Sequence, residues 1–334
     1  MLMKLPVSIR RLLLFLGTVM SGLFLAGCSQ ESSTPVRIGI NAWPGYEFLY
    51  LAQEKGFYKE EGVAVRLVEF SSLSDARRAY ERGQIDGFGT TVIEVLQARE
   101  HSPRSPQIVQ IVDFSNGADM ILARSGITNI AGLRGKRVGV ELGSLGIFVL
   151  LRGLEKSGMS LTDIEPVSMD QGAMESAFVQ GKLDALVTYT PTTVKLLREA
   201  NAQRVFTTAE IPGEVVDVIA IEAAFCQQRP KAVQAVLRAF HRAIDYTKTN
   251  PNDAYAIMAR REGISAEEFR TTLTDGVKLV SAAEQNEYLK PGGRLWQVIY
   301  ASDRALRQAG QIKGADRRGD AASAAFVSAG DSRD

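Results

Sequence analysis

Cysteine, histidine and tryptophan are scarce, with two of each in 334 residues. A Cys/His zinc site draws on about four ligands, so no such site is expected. Neither sign of charge is in surplus, since 39 basic residues face 38 acidic ones and the net charge is +1. Without a basic excess to neutralise a phosphate backbone, nucleic acid is not an expected partner. Nucleotide signatures are also missing. No GxxxxGK[S/T] occurs, and no GxGxxG follows a strand; Gly143-Ser144-Leu145-Gly146 lacks the third spaced glycine. Ser144 is not in a GxSxG elbow, because position 142 is Leu. His101 sits in a Ser-Pro-Arg loop, His241 on a long helical stretch, and Cys226 beside Phe225 in an apolar stretch, all places for structural rather than catalytic side chains. No catalytic residue, metal site or cofactor is expected.

What is present is an ordinary globular composition, 45% hydrophobic and 23% charged, which excludes disorder and coiled coil for most of the chain. The length suggests roughly two domains of about 150 residues. The first residues are different in kind. Lys4, Arg10 and Arg11 precede an apolar run over 12–26 that is interrupted by Gly17, Thr18, Ser21 and Gly22. It falls short of the roughly 20 residues of a membrane span and reads as a secretory signal peptide, 1–27. The run ends in Leu25-Ala26-Gly27-Cys28, which resembles a bacterial lipobox. Cys28 is the expected lipidation site and mature N-terminus, holding the protein by its lipid anchor at the periplasmic or extracellular face of a bacterial membrane. Removing the leader takes away three basic and no acidic residues, leaving the remainder slightly acidic. Residues 28–35 read as a short polar tether.

The body alternates strand and helix patterns: a strand at 36–40, a helix over 47–60, a strand at 63–70, a helix over 75–82, a short buried strand at 85–88 and a helix over 92–99. Strands at 108–114 and 120–123 flank the Ser115-Asn116-Gly117 turn. A βαβαβ order demands a largely parallel sheet with helices on its faces. The pattern then recurs about 100 residues on. Val138-Gly139-Val140 matches Ile38-Gly39-Ile40, and Gly181-Lys-Leu-Asp184 matches Gly83-Gln-Ile-Asp86. A constant offset implies two similar α/β lobes. Beyond about 229 the chain is helical, with a capping-box pattern at Ser265 and Glu268. Residues 313–334, rich in Ala, Ser, Gly, Asp and Arg, are expected to be disordered.

Ligands of parallel α/β sheets bind beyond the carboxyl ends of strands. Trp43 and Tyr46 follow the first strand, Thr90 and Thr91 follow the short buried strand, and Asn116 and Asp119 follow 108–114. Gly143, Ser144 and Tyr189 stand at the matching ends in the second unit. The set combines aromatic walls with hydroxyls and free helix N-termini, which suit a flat body carrying a hydrogen-bond acceptor. Helix capping is an equally good use for Thr90 and Ser144.

The stretch from Gly39 through Trp43-Pro-Gly-Tyr46 to Gly56-Phe57-Tyr58 resembles the start of NitT/TauT-type solute-binding proteins, which serve ABC importers of nitrate, sulfonates, taurine and thiamine-precursor pyrimidines. Gly83-x-Ile-Asp86, Asp113-x-Ser115-Asn-Gly-Ala-Asp119, Leu133-x-Gly-Lys136-Arg-Val-Gly-Val140 and Gly181-Lys-Leu-Asp184-Ala are similar in kind and order. The resemblance spans about 36–310. It implies a type-2 periplasmic binding protein fold of two lobes, 36–120 plus 218–312 and 124–215. They would be joined by two crossover segments near 119–124 and 214–219, with the ligand in the cleft between them. Asp217, at the second crossover, would take a cationic or amino group. The implied function is substrate capture for an ABC permease with its separate ATPase, by a monomer, and the ligand is an organic sulfonate, amino-sulfonate or pyrimidine-like molecule. Two alternatives share the fold: a binding protein feeding a signalling receptor, and a thiamine-pyrimidine synthase. The latter class uses a Cys-rich iron motif and an active-site His, and this sequence has neither a Cys cluster nor a His at a strand end.

Overall fold

The computed structural model describes residues 34–327; the leader, Cys28 and the last seven residues lie outside them. β1 (Val36–Ile40) is buried at all but one position, as a strand covered by helices on both faces must be. It pairs in parallel with β2 (Val65–Glu69) and β3 (Gly87–Thr91). β4 (Pro106–Ser115) then leads out of this first sheet to β5 (Met120–Ala123), which belongs to a second one. There β6 (Arg137–Val140) pairs in parallel with β7 (Glu165–Ser168) and β8 (Ala185–Thr188). β9 (Gln203–Thr207) leads back to β10 (Val216–Glu222), and β11 (Val277–Leu279) closes the far edge of the first sheet. The sheet orders are β11-β4-β10-β3-β1-β2 and β7-β6-β8-β5-β9.

Each sheet contains one antiparallel strand that arrives from the other: β10 between β3 and β4, and β5 between β8 and β9. The chain therefore passes between sheets at 116–119 and 208–215. Both positions fall a few residues before the segments expected from sequence, because β5 and the start of β10 are already paired in their new sheets. The two passages are bonded to each other. Ser115 Oγ lies 2.7 Å from Thr208 Oγ1, and the Gly117 N–H donates to Thr208 Oγ1 at 2.8 Å.

The repeated residues have matching jobs. Asp86 Oδ2 accepts the Arg37 N–H at 2.9 Å and its Nε–H at 3.1 Å. Asp184 Oδ2 accepts the same two donors of Arg137 at the same two distances. A Cβ on Gly39 would come within 2.6 Å of Ile85 Cδ1, and one on Gly139 within 2.6 Å of Leu183 Cδ1. The repeat is thus a strand glycine that admits an aliphatic side chain and an aspartate that ties two parallel strands together.

The helices Glu47–Glu54 and Pro230–Thr249 pack on the first sheet, with Phe48 and Phe240 edge to face at 6.0 Å. The capping box at Ser265 forms as the sequence suggests, with both reciprocal bonds made. The expectation of disorder after 312 is overturned for residues 313–327. The Ile108 N–H donates to the Ala321 carbonyl at 2.8 Å, the Ser323 N–H to the Ile108 carbonyl at 2.9 Å, and Ala321 and Phe326 are buried. Arg99, itself buried, donates to the Arg317 carbonyl and pairs with Asp320. The segment docks through its backbone and arginines, which a composition poor in large apolar residues does not reveal.

Candidate functional site

Between the two sheets lies a closed cavity of about 170 Å³ of interatomic space, with no room for a free water, lined by Asn41, Trp43, Tyr46, Leu73, Asp119, Leu145, Tyr189 and Asp217. The turn after β1 supplies its aromatic wall. Gly45 makes that turn possible, since a Cβ there would collide with Asp113 Oδ2 and Val112 Cγ1. Trp43 Nε1–H donates to Asp113 Oδ2 at 3.2 Å, and the Tyr46 hydroxyl donates to Asp217 Oδ1. From the second sheet, Tyr189 sets its ring edge-on to Trp43 at 6.1 Å, and its hydroxyl lies 3.5 Å from Asn41 Nδ2.

The cavity is acidic and lacks a cation. Asp113, Asp119 and Asp217 are all buried, and none of the eight lining residues is basic. Burial pushes Asp119 up to about 7, with Glu94 adding to the rise and Ser115 opposing it. Burial also raises Asp113 and Asp217, and the negative neighbours of each, Asp119 for both, add to the rise. The Tyr46 phenol is raised well above its usual range by burial and by Asp217. One oxygen each of Asn41, Asp113, Asp119 and Asp217 is buried without a hydrogen-bond partner. Such oxygens are costly unless something donates to them; Asp113 and Asp217, opposite each other on β4 and β10, are placed to share a proton, while those of Asn41 and Asp119 are left for a ligand.

Of the ten residues expected at the ligand, the structure brings together Trp43, Tyr46, Asp119, Tyr189 and Asp217. The other five do not line the cavity. β3 runs to Thr91, so Thr90 and Thr91 are strand residues rather than a loop beyond one. Thr90 is buried with an unpartnered hydroxyl, while Thr91 accepts the Ile93 N–H at 3.2 Å as a helix cap. Asn116 sits in the first passage, where its N–H donates to the Gly276 carbonyl at 2.8 Å. Gly143 lines a separate, open recess with Arg77, Gln97, His101 and Lys313. Ser144 donates to Glu94 Oε1 at 2.7 Å. Sequence reasoning missed Asn41, Leu73, Leu145 and Asp113. The visible signal for Asp113 was a lone charge inside an apolar strand pattern.

Two α/β lobes joined by paired passages, with a closed cavity between them, define the type-2 periplasmic binding protein architecture. The chain belongs to the NMT1/THI5-like family, whose profile matches residues 43–254. It is 26% identical over 276 residues to a protein of Brucella abortus described as a binding protein, covering 80% of this chain and 84% of that one. It is 27% identical over 234 residues to the 4-amino-5-hydroxymethyl-2-methylpyrimidine phosphate synthase of Aspergillus parasiticus, covering 64% of this chain and 66% of that one. Among solved structures, the alkanesulfonate-binding protein SsuA from Xanthomonas axonopodis pv. citri, bound to MOPS, superposes with a TM-score of 0.68. The identity is 22%, over 83% of this chain and 93% of that one. Among the described residues no helix is long and apolar enough to cross a membrane.

Proposed function

We propose that this protein is the extracytoplasmic binding component of an ABC importer, held to its membrane through Cys28, and that it delivers a small organic solute to a cognate permease. The observation that carries the reading is the inter-lobe cavity, walled by rings from both lobes and edged with orphaned acceptors. Closure about the passages at 116–119 and 208–215 brings the two halves of such a site onto a ligand, and both halves must touch it for binding to favour the closed state. Three buried carboxyl groups without a basic partner, each raised by burial, favour a basic, amine-bearing ligand that can take up their proton and donate to the oxygens left unpaired. An amine-bearing flat heterocycle of the aminopyrimidine class fits the aromatic walls and acidic lining better than a sulfonate, an amino-sulfonate or nitrate, and it enters only when the lobes open, since the closed cavity has no room for a free water.

The synthase relative gives an enzyme reading some standing. Against it, the two histidines are engaged elsewhere, His101 beside Arg77 and His241 against Gln110, and neither lines the cavity. The test is intrinsic tryptophan fluorescence, titrated with 4-aminopyrimidine, ethanesulfonate, taurine and nitrate. The aminopyrimidine is expected to shift the emission with a Kd of about micromolar or tighter, and Trp43→Ala, which removes the reporter and is read by isothermal titration, to bind about tenfold more weakly. Response to sulfonate or nitrate alone would sink the ligand class, and response to none of the four would count against solute capture. Cell fractionation of Cys28→Ser reads the anchor, and a wild type that is soluble and carries no lipid by mass spectrometry removes it.

A further inference from the structure

We infer that Glu94 is an internal anion that sets the charge of the ligand. Carried by the first lobe, it fills the place at the N-terminus of a second-lobe helix that an acidic ligand group would otherwise take. The inference rests on the reading of the inter-lobe cavity as the ligand site.

The helix Leu145–Lys156 has twelve residues, and Ser144 at its head makes no capping bond within it. Its free end is closed from the other lobe. Glu94 Oε1 accepts the Ser144 hydroxyl and the Leu145 N–H, both at 2.7 Å, and Oε2 accepts the Thr91 hydroxyl. Every one of these neighbours donates, as a carboxylate requires. Glu94 is fully buried, in the first turn of a helix whose residues from Val92 to Arg99 are all buried, so it has no solvent to turn to. A helix N-terminus carries partial positive charge and unpaired N–H groups, the usual attraction for phosphate, sulfonate or carboxylate. Here that attraction is already spent on a side chain of the same molecule. Leu145, whose N–H is taken, lines the cavity, and Asp119 lies close enough for the Glu94 charge to raise it. An anionic ligand entering this space meets an occupied helix end and buried carboxyl groups that already repel negative charge. A ligand rich in N–H groups meets acceptors. Selection here works by exclusion as much as by attraction.

Isothermal titration of the full chain with ethanesulfonate, for wild type, Glu94→Ala and Glu94→Gln, tests this. Wild type is expected not to bind. Glu94→Gln, which keeps an oxygen on Ser144 and Leu145 but loses the charge, is expected to gain less than Glu94→Ala. Glu94→Ala, with the helix end vacated, should gain affinity for ethanesulfonate by about tenfold or more over wild type. If Glu94→Ala loses its cooperative unfolding transition, Glu94→Ser, which keeps a polar partner for Thr91, carries the same comparison. Wild type binding ethanesulfonate as tightly as the vacated variant, or a folded vacated variant that gains nothing, overturns the inference. A parallel titration of wild type with 4-aminopyrimidine separates the two readings. Its failure alongside a sulfonate gain in Glu94→Ala sinks only the amine-bearing ligand. Its success alongside no gain sinks only the role of Glu94.

Discussion

Asp119 holds a carboxyl group in a space that disfavours its charge, and the consequence is a pH dependence with a definite sign. Its ordinary value is 3.8, and burial moves it to about 7. Between those values the folded chain keeps a proton that the unfolded chain releases. The stability this group contributes is therefore greatest below about pH 4, declines as pH rises, and is lowest above about pH 7. Asp113 and Asp217, raised for the same reason, act in the same direction. Urea midpoints of the ligand-free protein at about pH 5 and about pH 8 are expected to differ less in Asp119→Asn than in wild type. An unchanged difference would show that Asp119 is not protonated in the folded state. Trp43, Tyr46, Asp119, Tyr189 and Asp217 were legible in the sequence because each follows or begins a segment at the cleft-facing end of a sheet. Asp113 was not, because it lies inside a strand and reaches the site through Trp43 and through Asp217, its partner on the neighbouring strand. Thr91 and Ser144 read as ligand donors because a hydroxyl that caps a helix and one that faces a ligand look alike in sequence. What decides between them for Ser144 is Glu94, fifty residues away.

The repeated strand and loop were read from the chain at a constant offset, and the structure supplies the reason that these positions repeat. Glycine in β1 and β6 makes room for an aliphatic side chain, and the aspartate that follows binds the strand opposite. Both requirements are local, so they leave a mark in sequence. Strand ownership is not local. β5 was read as crossover, near 119–124, because it follows β4 directly, yet it is a paired strand of the second sheet with partners β8 and β9. The two aspartates are alike in geometry but not in exposure, since the Asp86 side chain is 12% exposed and the Asp184 side chain 25%. Losing the acceptor strands the Arg37 N–H in the less exposed site, at a cost of about 1–3 kcal/mol. Asp86→Ala is expected to lower the urea midpoint more than Asp184→Ala does. The reverse order would mean that the strand tie matters less than the lobe it sits in.

At the scale of the whole molecule, the last described segment returns to the first lobe and completes it. β4 is long, and β11 covers only its far end, at 113–115. Near its start the 313–327 segment takes over, with Ala322 bridging in parallel to Ile108. The same segment anchors Arg99, whose guanidinium is spread over the Arg317 carbonyl, the Pro106 carbonyl and Asp320, while Arg317 reaches back to the carbonyls of Arg99 and Ser102. An exposed strand edge and a buried guanidinium short of acceptors are both unfavourable, and this segment removes both. Ending the chain at Ile312 should therefore destabilise the first lobe by about 1–3 kcal/mol or more, read as a lower urea midpoint. The cavity lies between the lobes, and none of its lining residues comes from beyond 217, so 4-aminopyrimidine titrated below the unfolding transition should behave as in the full chain. A disordered tail makes the opposite forecast, an unmoved midpoint, and that result would return 313–327 to the reading its composition suggests.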